Sequence, residues 1–171
     1  MIVVSDTSPL NYLILIGEVD VLPALFRRVV APPAVVAEML QPGAPEIVAN
    51  WAAAPPKWLE VIAPTTFDAN LPLGAGEVEA IGLAQKLKAD RLLLDERKAT
   101  LVATRLGLAV IGTLSVLSLA AEKGLLALPA AIAALRQTNF RGPADLIEEL
   151  LKQDERQHGK GTGRENAEPA S

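Results

Sequence analysis

The chain has 171 residues, enough for one domain, and half of them are hydrophobic, so a sizeable core is available. With no cysteine and one histidine, it cannot form disulfides, thiolate metal sites or histidine-rich zinc sites. Its net charge of −4 argues against a surface that holds nucleic acid by bulk positive potential, although a nuclease with an acidic site is compatible with that charge.

No apolar run reaches the roughly 18 uncharged residues that a membrane helix needs. The first charged residue is Asp6 rather than a basic cluster, so the N-terminus also lacks a secretory pattern. We therefore expect a cytoplasmic protein with no membrane segment.

The first half of the chain begins with a short apolar strand that ends at the polar run around Asp6. A polar residue followed by proline is typical of a helix start, and glycine is typical of a helix end. In chain order we predict a strand (Met1–Val4), helices (Pro9–Ile16 and Asp20–Phe26), a strand (Val29–Val30), helices (Pro33–Leu40 and Ile47–Ala53) and an extended segment (Trp58–Ile62).

The second half alternates helix and strand patterns, which indicates an α/β fold with a parallel sheet covered by helices on both faces. Residues 1–153 would form one domain, and the polar segment 154–171 a disordered tail. After a loop (Pro64–Leu73) we predict a helix (Gly76–Lys88), a strand (Arg91–Leu94), a helix (Lys98–Leu106), a strand (Ala109–Ile111) and three helices (Ser115–Lys123, Ala130–Arg136 and Ala144–Gln153).

Two predicted strands end in a carboxylate, Asp6 and Asp95, and a third ends at Thr113. Ligands of open α/β sheets bind at the carboxyl ends of strands, so these three side chains are candidates for one site. Asp6 could instead cap the following helix, although Thr7 or Ser8 could do so equally well. Asp95 could belong to a polar turn.

Three glutamates are candidates on helices. Glu38 lies alone on an apolar helix, where a buried carboxylate would need a partner or a cation, although a solvent-facing glutamate is the simpler alternative. Glu77 and Glu79 could both merely complement a helix dipole. At about 100° per residue, however, Glu77 shares its direction with Ile81, whereas Glu79 lies near Lys86 on the polar face. Glu77 is therefore the expected inward acid, with Glu79 as support.

Six of the sixteen basic residues lie in the 20-residue stretch from Lys86 to Arg105, and Lys98 and Arg105 share one face of the predicted helix in it. They are our candidates for phosphate contacts, with a solvated face as the alternative. Glu96, next to Asp95, is a lesser candidate for the acidic site. Because the chain has no phosphate-binding glycine motif or thiol, the remaining chemistry is carboxylates with a hydroxyl, a ligand set suited to Mg²⁺ or Mn²⁺.

The order of these residues resembles the PIN-domain family, specifically its branch of VapC-toxin-like bacterial and archaeal proteins. The resemblance covers about residues 1–150. Four segments carry it: Val3–Leu10 around Asp6, Pro33–Glu38, Gly76–Ile81, and Leu92–Ala99 followed by Val110–Leu114.

The resemblance implies a three-layer α/β/α sandwich with a central parallel sheet and a metal site that cuts RNA. It also implies a toxin with a cognate antitoxin that blocks the site. By position, the metal ligands and catalytic acids would be Asp6, Glu38, Glu77 and Asp95. The supporting residues would be Thr7, Glu79 and Thr113. The third acid is commonly aspartate in this family and is glutamate here, so either Glu77 or Glu79 could fill that position.

Two other functions are compatible with an α/β chain of this kind. A phosphoacceptor receiver domain would need paired acids after its first strand, whereas Asp6 is single. A PIN-like module that binds nucleic acid or protein without useful catalysis would keep the same fold. The many alanines and leucines on the predicted helices also suggest protein–protein surfaces, including those of a homodimer.

Overall fold

Five strands form a sheet at the centre of the described chain, and each neighbouring pair is parallel. The computed structural model describes residues 1–159, and residues 160–171 lie outside the described part. The strands are β1 (Ile2–Ser5), β2 (Arg28–Ala31), β3 (Leu59–Val61), β4 (Arg91–Leu93) and β5 (Val110–Ile111). Their order across the sheet is β3-β2-β1-β4-β5.

Nine helices cover this sheet within residues 1–159. They are α1 (Thr7–Leu15), α2 (Val21–Leu25), α3 (Pro33–Met39), α4 (Glu46–Ala53), α5 (Ala75–Leu87), α6 (Arg97–Arg105), α7 (Thr113–Glu122), α8 (Leu128–Arg136) and α9 (Ala144–Gly159). None of these helices is both long and apolar enough to cross a membrane.

The strands are buried on both faces, which explains why they contain nearly continuous apolar residues. Val3 and Val4 are both fully buried, but they belong to different hydrophobic clusters because successive side chains alternate between faces. The Val4 cluster contains α5 and α6, and the Val3 cluster contains the other seven helices. The predicted three-layer α/β/α sandwich is thereby confirmed.

The order in which the chain adds strands to the sheet reverses after β3. Strands β2 and β3 lie on one side of β1, and the chain then returns through α5 to place β4 on the other side of β1. Such a switch point opens a crevice at the carboxyl ends of the two central strands, where open α/β sheets bind ligands. The order also differs from the 2-1-3-4-5 order of receiver domains, so that alternative is wrong.

Four helices differ from the prediction by two or more residues at one end, and one of them is α8, which begins at Leu128 rather than at Ala130. Helix α1 begins at Thr7 and α7 at Thr113, each two residues earlier than predicted, because the first turn of each helix includes the polar residues after its strand. Helix α9 continues through Gly159, so the tail predicted to begin at Asp154 does not begin there. The polar residues after Gln153 continue the helix rather than ending it, and His158 Nδ1 lies 3.3 Å from Asp154 Oδ1, one turn earlier. The rest of the predicted tail, 160–171, lies outside the described residues.

Candidate acidic site

Asp6 lies directly after β1, at the switch point of the sheet. Its backbone N–H donates to the carbonyl of Leu93 in β4 at 3.0 Å, which fixes it between the two central strands. The side chain is only 4% exposed, and its Oδ1 has no hydrogen-bond partner among the described residues. Although Asp6 occupies the N-cap position of α1, it makes no side-chain capping hydrogen bond. The capping alternative therefore does not explain this carboxylate.

Burial raises the pKa of Asp6 from its ordinary value of 3.8 to about 7. The Thr7 N–H opposes this shift, whereas the negative charges of Glu77, Glu38 and Asp95 add to it. All three other acids predicted for the site therefore lie within electrostatic reach of Asp6. The structure brings the four predicted acids to one edge of the sheet.

Glu38, near the end of α3, is held by two donors from elsewhere in the chain. The Thr7 hydroxyl donates to Oε2 at 2.5 Å, and the Gly76 N–H donates to Oε1 at 2.9 Å. A Cβ on residue 76 would lie 2.7 Å from both oxygens of Glu38, so only glycine allows this approach. No sequence pattern singled out Gly76 for this role, because its partner is 38 residues away.

Glu77 and Glu79 take different directions from the first turns of α5. Glu77 Oε2 accepts from the Gly74 N–H at 3.0 Å and so caps its own helix. Burial raises the pKa of Glu77; the Gly74 N–H lowers it, and the charges of Glu96 and Glu38 raise it further. Glu77 therefore lies among the acids, as its helical direction predicted.

Glu79 is not on a free polar face, so that expectation is wrong. Its Oε2 accepts from the Ala34 N–H, in the first turn of α3, at 3.0 Å. Lys86, expected beside it, instead donates to the carbonyl of Ala63 at 3.4 Å. The periodicity correctly separated Glu79 from Glu77, but it could not show that α3 covers this face of α5.

Asp95 is fixed by Thr113 across the ends of β4 and β5. The Thr113 N–H donates to Oδ1 at 2.8 Å, and its fully buried hydroxyl donates to Oδ2 at 2.6 Å. Burial raises the pKa of Asp95, and both Thr113 hydrogen bonds oppose that shift. A Cβ on Gly112 would lie 3.0 Å from Oδ1, so this glycine is a second position that permits a close approach.

The remaining candidates lie at the margin of the site or away from it. Glu96 is exposed and caps its own helix α6 through the Ala99 N–H at 2.7 Å. Lys98 is exposed, and its positive charge lowers the pKa of Glu77, so it lies near the acids. Arg105 lies seven residues farther along α6, about 10 Å along the helix axis. The described structure gives it no interaction with the acids.

Glu38, Glu79 and Asp95 share one kind of contact. Each accepts a backbone N–H from the first turn of a helix to which it does not belong, and such N–H groups have no partner within their own helix. Those helix ends also carry partial positive charge, which favours carboxylates beside them. The pairs are Glu38 with Gly76 in α5, Glu79 with Ala34 in α3, and Asp95 with Thr113 in α7.

The orphaned oxygen of Asp6 fits a bound cation. A buried carboxylate oxygen without a donor is costly, and a divalent ion would supply the missing partner. As they stand, residues 1–159 contain no group of three or more acidic or histidine side chains arranged to hold a metal. Amide donors already hold Glu38, Glu77 and Asp95, but an ionised carboxylate offers about four acceptor positions, so each retains free lone pairs.

Asp6→Asn should make the metal-free protein more stable at high pH. A carboxyl whose pKa is raised in the folded state does not change the free energy of unfolding below about pH 4, where it is protonated. It lowers that free energy increasingly as pH rises toward 7. We expect the stability gap between the variant and wild type to grow by about 3 kcal/mol from pH 5 to pH 8. Urea unfolding with EDTA at several pH values measures this gap. If the free energies of unfolding of the two proteins changed in parallel with pH, the raised pKa of Asp6 would be contradicted.

The chain resembles known proteins at the level of a domain family. No curated protein matches the chain. Among solved structures, it is similar to a PilT N-terminus domain protein from the hyperthermophilic archaeon Sulfolobus solfataricus P2, at 17% identity and a TM-score of 0.48, with 84% of this chain and 100% of that chain covered. Residues 2–156 match the PIN-domain family DUF3368, which confirms the predicted resemblance. The chain therefore belongs to this family of PIN domains, which are generally metal-dependent nucleases.

Proposed function

We propose that the protein is an Mg²⁺- or Mn²⁺-dependent endoribonuclease, the toxin of a toxin–antitoxin pair. The observation that carries the nuclease proposal is the buried Asp6 Oδ1, which lacks a donor at the centre of an acidic cluster. Family membership supports metal-dependent cleavage of nucleic acid. The choice of RNA, the toxin role, the antitoxin and a homodimer rest on the sequence resemblance and composition.

In this proposal Asp6, Glu38, Glu77 and Asp95 would hold the metal. A divalent ion bound there would supply a water of lowered pKa and charge stabilisation for the leaving oxygen of a phosphodiester. Thr113 orients Asp95 through its two hydrogen bonds, and Thr7 orients Glu38. Such outer partners commonly set ligand position and basicity.

Lys98 is our choice for attracting the RNA phosphate. It is exposed and lies near Glu77, in a protein whose overall charge is negative. Arg105 would bind RNA farther along α6, outside the acidic cluster. The two residues would therefore contact different phosphates of the same strand.

A titration of Mg²⁺ and Mn²⁺ against a panel of single-stranded and structured RNAs tests the function directly. We expect cleavage that EDTA abolishes, and no cleavage by Asp6→Asn or Asp95→Asn protein that remains folded. Variants purified in parallel control for contaminating nucleases. Equal cleavage by wild type and both variants would contradict the site. RNA binding without cleavage at any metal concentration would favour the binding-module alternative.

Glu77→Gln should reduce cleavage much more than Glu79→Gln. Glu77 lies among the charges of the site, whereas Glu79 acts at a distance by accepting from Ala34. Glutamine retains an acceptor oxygen, so Glu79→Gln can keep that hydrogen bond. We expect it to cost less than about tenfold, the lower end for outer-shell changes. Initial cleavage rates over a Mn²⁺ titration measure both effects.

The two variants also serve as matched controls, since each replaces one carboxylate with an amide in the first turns of the same helix. If Glu79→Gln abolished cleavage and Glu77→Gln did not, Glu79 would be the third acid. Equal, small effects on cleavage would show that the two glutamates only stabilise helix starts, Glu77 that of α5 and Glu79 that of α3.

Gly76→Ala should reduce cleavage without unfolding the protein. The added Cβ would lie 2.7 Å from both Glu38 oxygens and displace the flexible end of that side chain. Alanine otherwise favours a helix over glycine by about 1 kcal/mol. We expect a loss of about 10–100-fold in activity, as for other disturbed outer-shell contacts. Melting temperature and cleavage rate are measured together.

Gly74→Ala is the matched control for that change, because its Cβ would lie at an ordinary 3.7 Å from Glu77 Oε2. It should retain nearly full activity. Similar activity in the two glycine variants would mean that the position of Glu38 does not matter for cleavage.

A further inference from the structure

A cavity of about 180 Å³ opens beside the acidic site, on the side of β5. Asp95 and Ser115 belong to the wall formed by the ends of β4 and β5 and the start of α7. The opposite wall is the loop between α8 and α9, with Phe140 and Arg141, followed by Leu146 in α9. The cavity is smaller than the about 300–1,000 Å³ of typical small-molecule pockets. It is therefore suited to one small planar group rather than to a whole cofactor.

The aromatic wall of this cavity is held in place. Phe140 is half-buried and meets Tyr12 edge to face, with ring centroids 5.0 Å apart and planes at 87°. A Cβ on Gly142 would lie 2.6 Å from the Phe140 ring, so the backbone passes directly against that ring. The Tyr12 hydroxyl donates to Asn139 Oδ1 at 3.1 Å, which ties the same loop to α1. Phe140 is thus a positioned ring rather than a mobile surface side chain.

Arg141 gives this cavity a positive charge next to the acids. Its side chain is exposed, and within residues 1–159 it makes no ion pair or side-chain hydrogen bond. A phosphate chain approaching a cluster of carboxylates in a protein of net charge −4 needs such local cations. Lys98 provides one near Glu77, and Arg141 provides another beside Asp95.

We propose that the cavity is a nucleotide subsite that binds one unpaired nucleotide of the RNA, next to the phosphate that is cleaved. The base lies against Phe140, and the adjoining phosphate contacts Arg141. Single-stranded RNA is commonly bound by stacking its bases on aromatic rings and by pairing its phosphates with arginine. This inference rests on the proposed nuclease function, and it makes the enzyme selective for single-stranded segments.

The binding test uses a fluorescein-labelled single-stranded RNA, one that the wild type cleaves or, if it cleaves none, a single-stranded member of the same RNA panel, with the Asp6→Asn protein in Mg²⁺ as the parent. Adding Phe140→Leu should raise Kd about tenfold, within the range measured for one lost stacking contact. Adding Arg141→Gln should lower the slope of log Kd against log salt by about 0.7, the value for one phosphate on a single strand. Arg136→Gln is the matched control, because Arg136 is exposed on α8 and does not line this cavity. It should change neither quantity.

Wild-type cleavage of the same RNA, with an abasic residue placed at each position in turn, locates the subsite. One position flanking the cut should lower kcat/KM about tenfold, and Phe140→Leu should abolish that dependence. Because Phe140→Leu can also loosen the loop, melting temperatures are compared, and the exposed Arg141→Gln change provides an independent test.

The outcomes separate the subsite from the nuclease function. Normal cleavage with unchanged binding in both Phe140→Leu and Arg141→Gln would overturn the subsite and leave the nuclease function intact. No cleavage by wild type, together with no RNA binding by the parent, would overturn both. Binding that depends on Phe140 and Arg141 without cleavage by wild type would support the subsite and contradict the nuclease.

Discussion

The carboxyl edge of this sheet depends on carboxylates that accept hydrogen bonds from the first turns of neighbouring helices. Helices α3 and α7 begin without a side-chain cap of their own, and Pro32 and Gly112 stand at their N-cap positions. Their free N–H groups are satisfied instead by Glu79 and Asp95, which come from other elements. Hydrogen bonds to charged groups contribute about 1.5–3 kcal/mol each. The hydrogen bonds that satisfy the free N–H groups of these helices therefore also hold Glu79 and Asp95 at the carboxyl edge of the sheet.

The contacts between α3 and α5 run in both directions. Glu38 of α3 accepts from the start of α5, and Glu79 of α5 accepts from the start of α3. Moving either helix would break both hydrogen bonds, so the position of Glu38 at the site is coupled to the packing of the whole pair. Asp6 is the exception, because its Oδ1 is buried without any donor. Burial raises the pKa of this carboxyl, so its ionised form is costly in the metal-free fold, and a cation bound there would offset that cost.

The parts of the site that follow from local sequence were predictable, and those that follow from long-range contacts were not. Asp6 and Asp95 stand at strand ends, and the alternating pattern indicated that those ends would meet. Glu77 followed from helical periodicity. The partners of Glu38 and Glu79 lie 38 and 45 residues away, across the packing of two helices, and no local pattern encodes such a pair. The cavity at Phe140 likewise depends on a C-terminal loop that returns to the acidic edge.

The most direct test of the central claim, that Asp6 anchors a divalent cation, is a crystal structure of the protein soaked in Mn²⁺, with anomalous data collected near the manganese absorption edge. The account predicts an anomalous peak within coordination distance of Asp6 Oδ1, about 2.0–2.6 Å for oxygen ligands of hard divalent cations. At least one oxygen of Asp95, Glu38 or Glu77 should contact the same ion. A structure at saturating Mn²⁺ with no peak at Asp6, or with a protein donor on Oδ1, would contradict it.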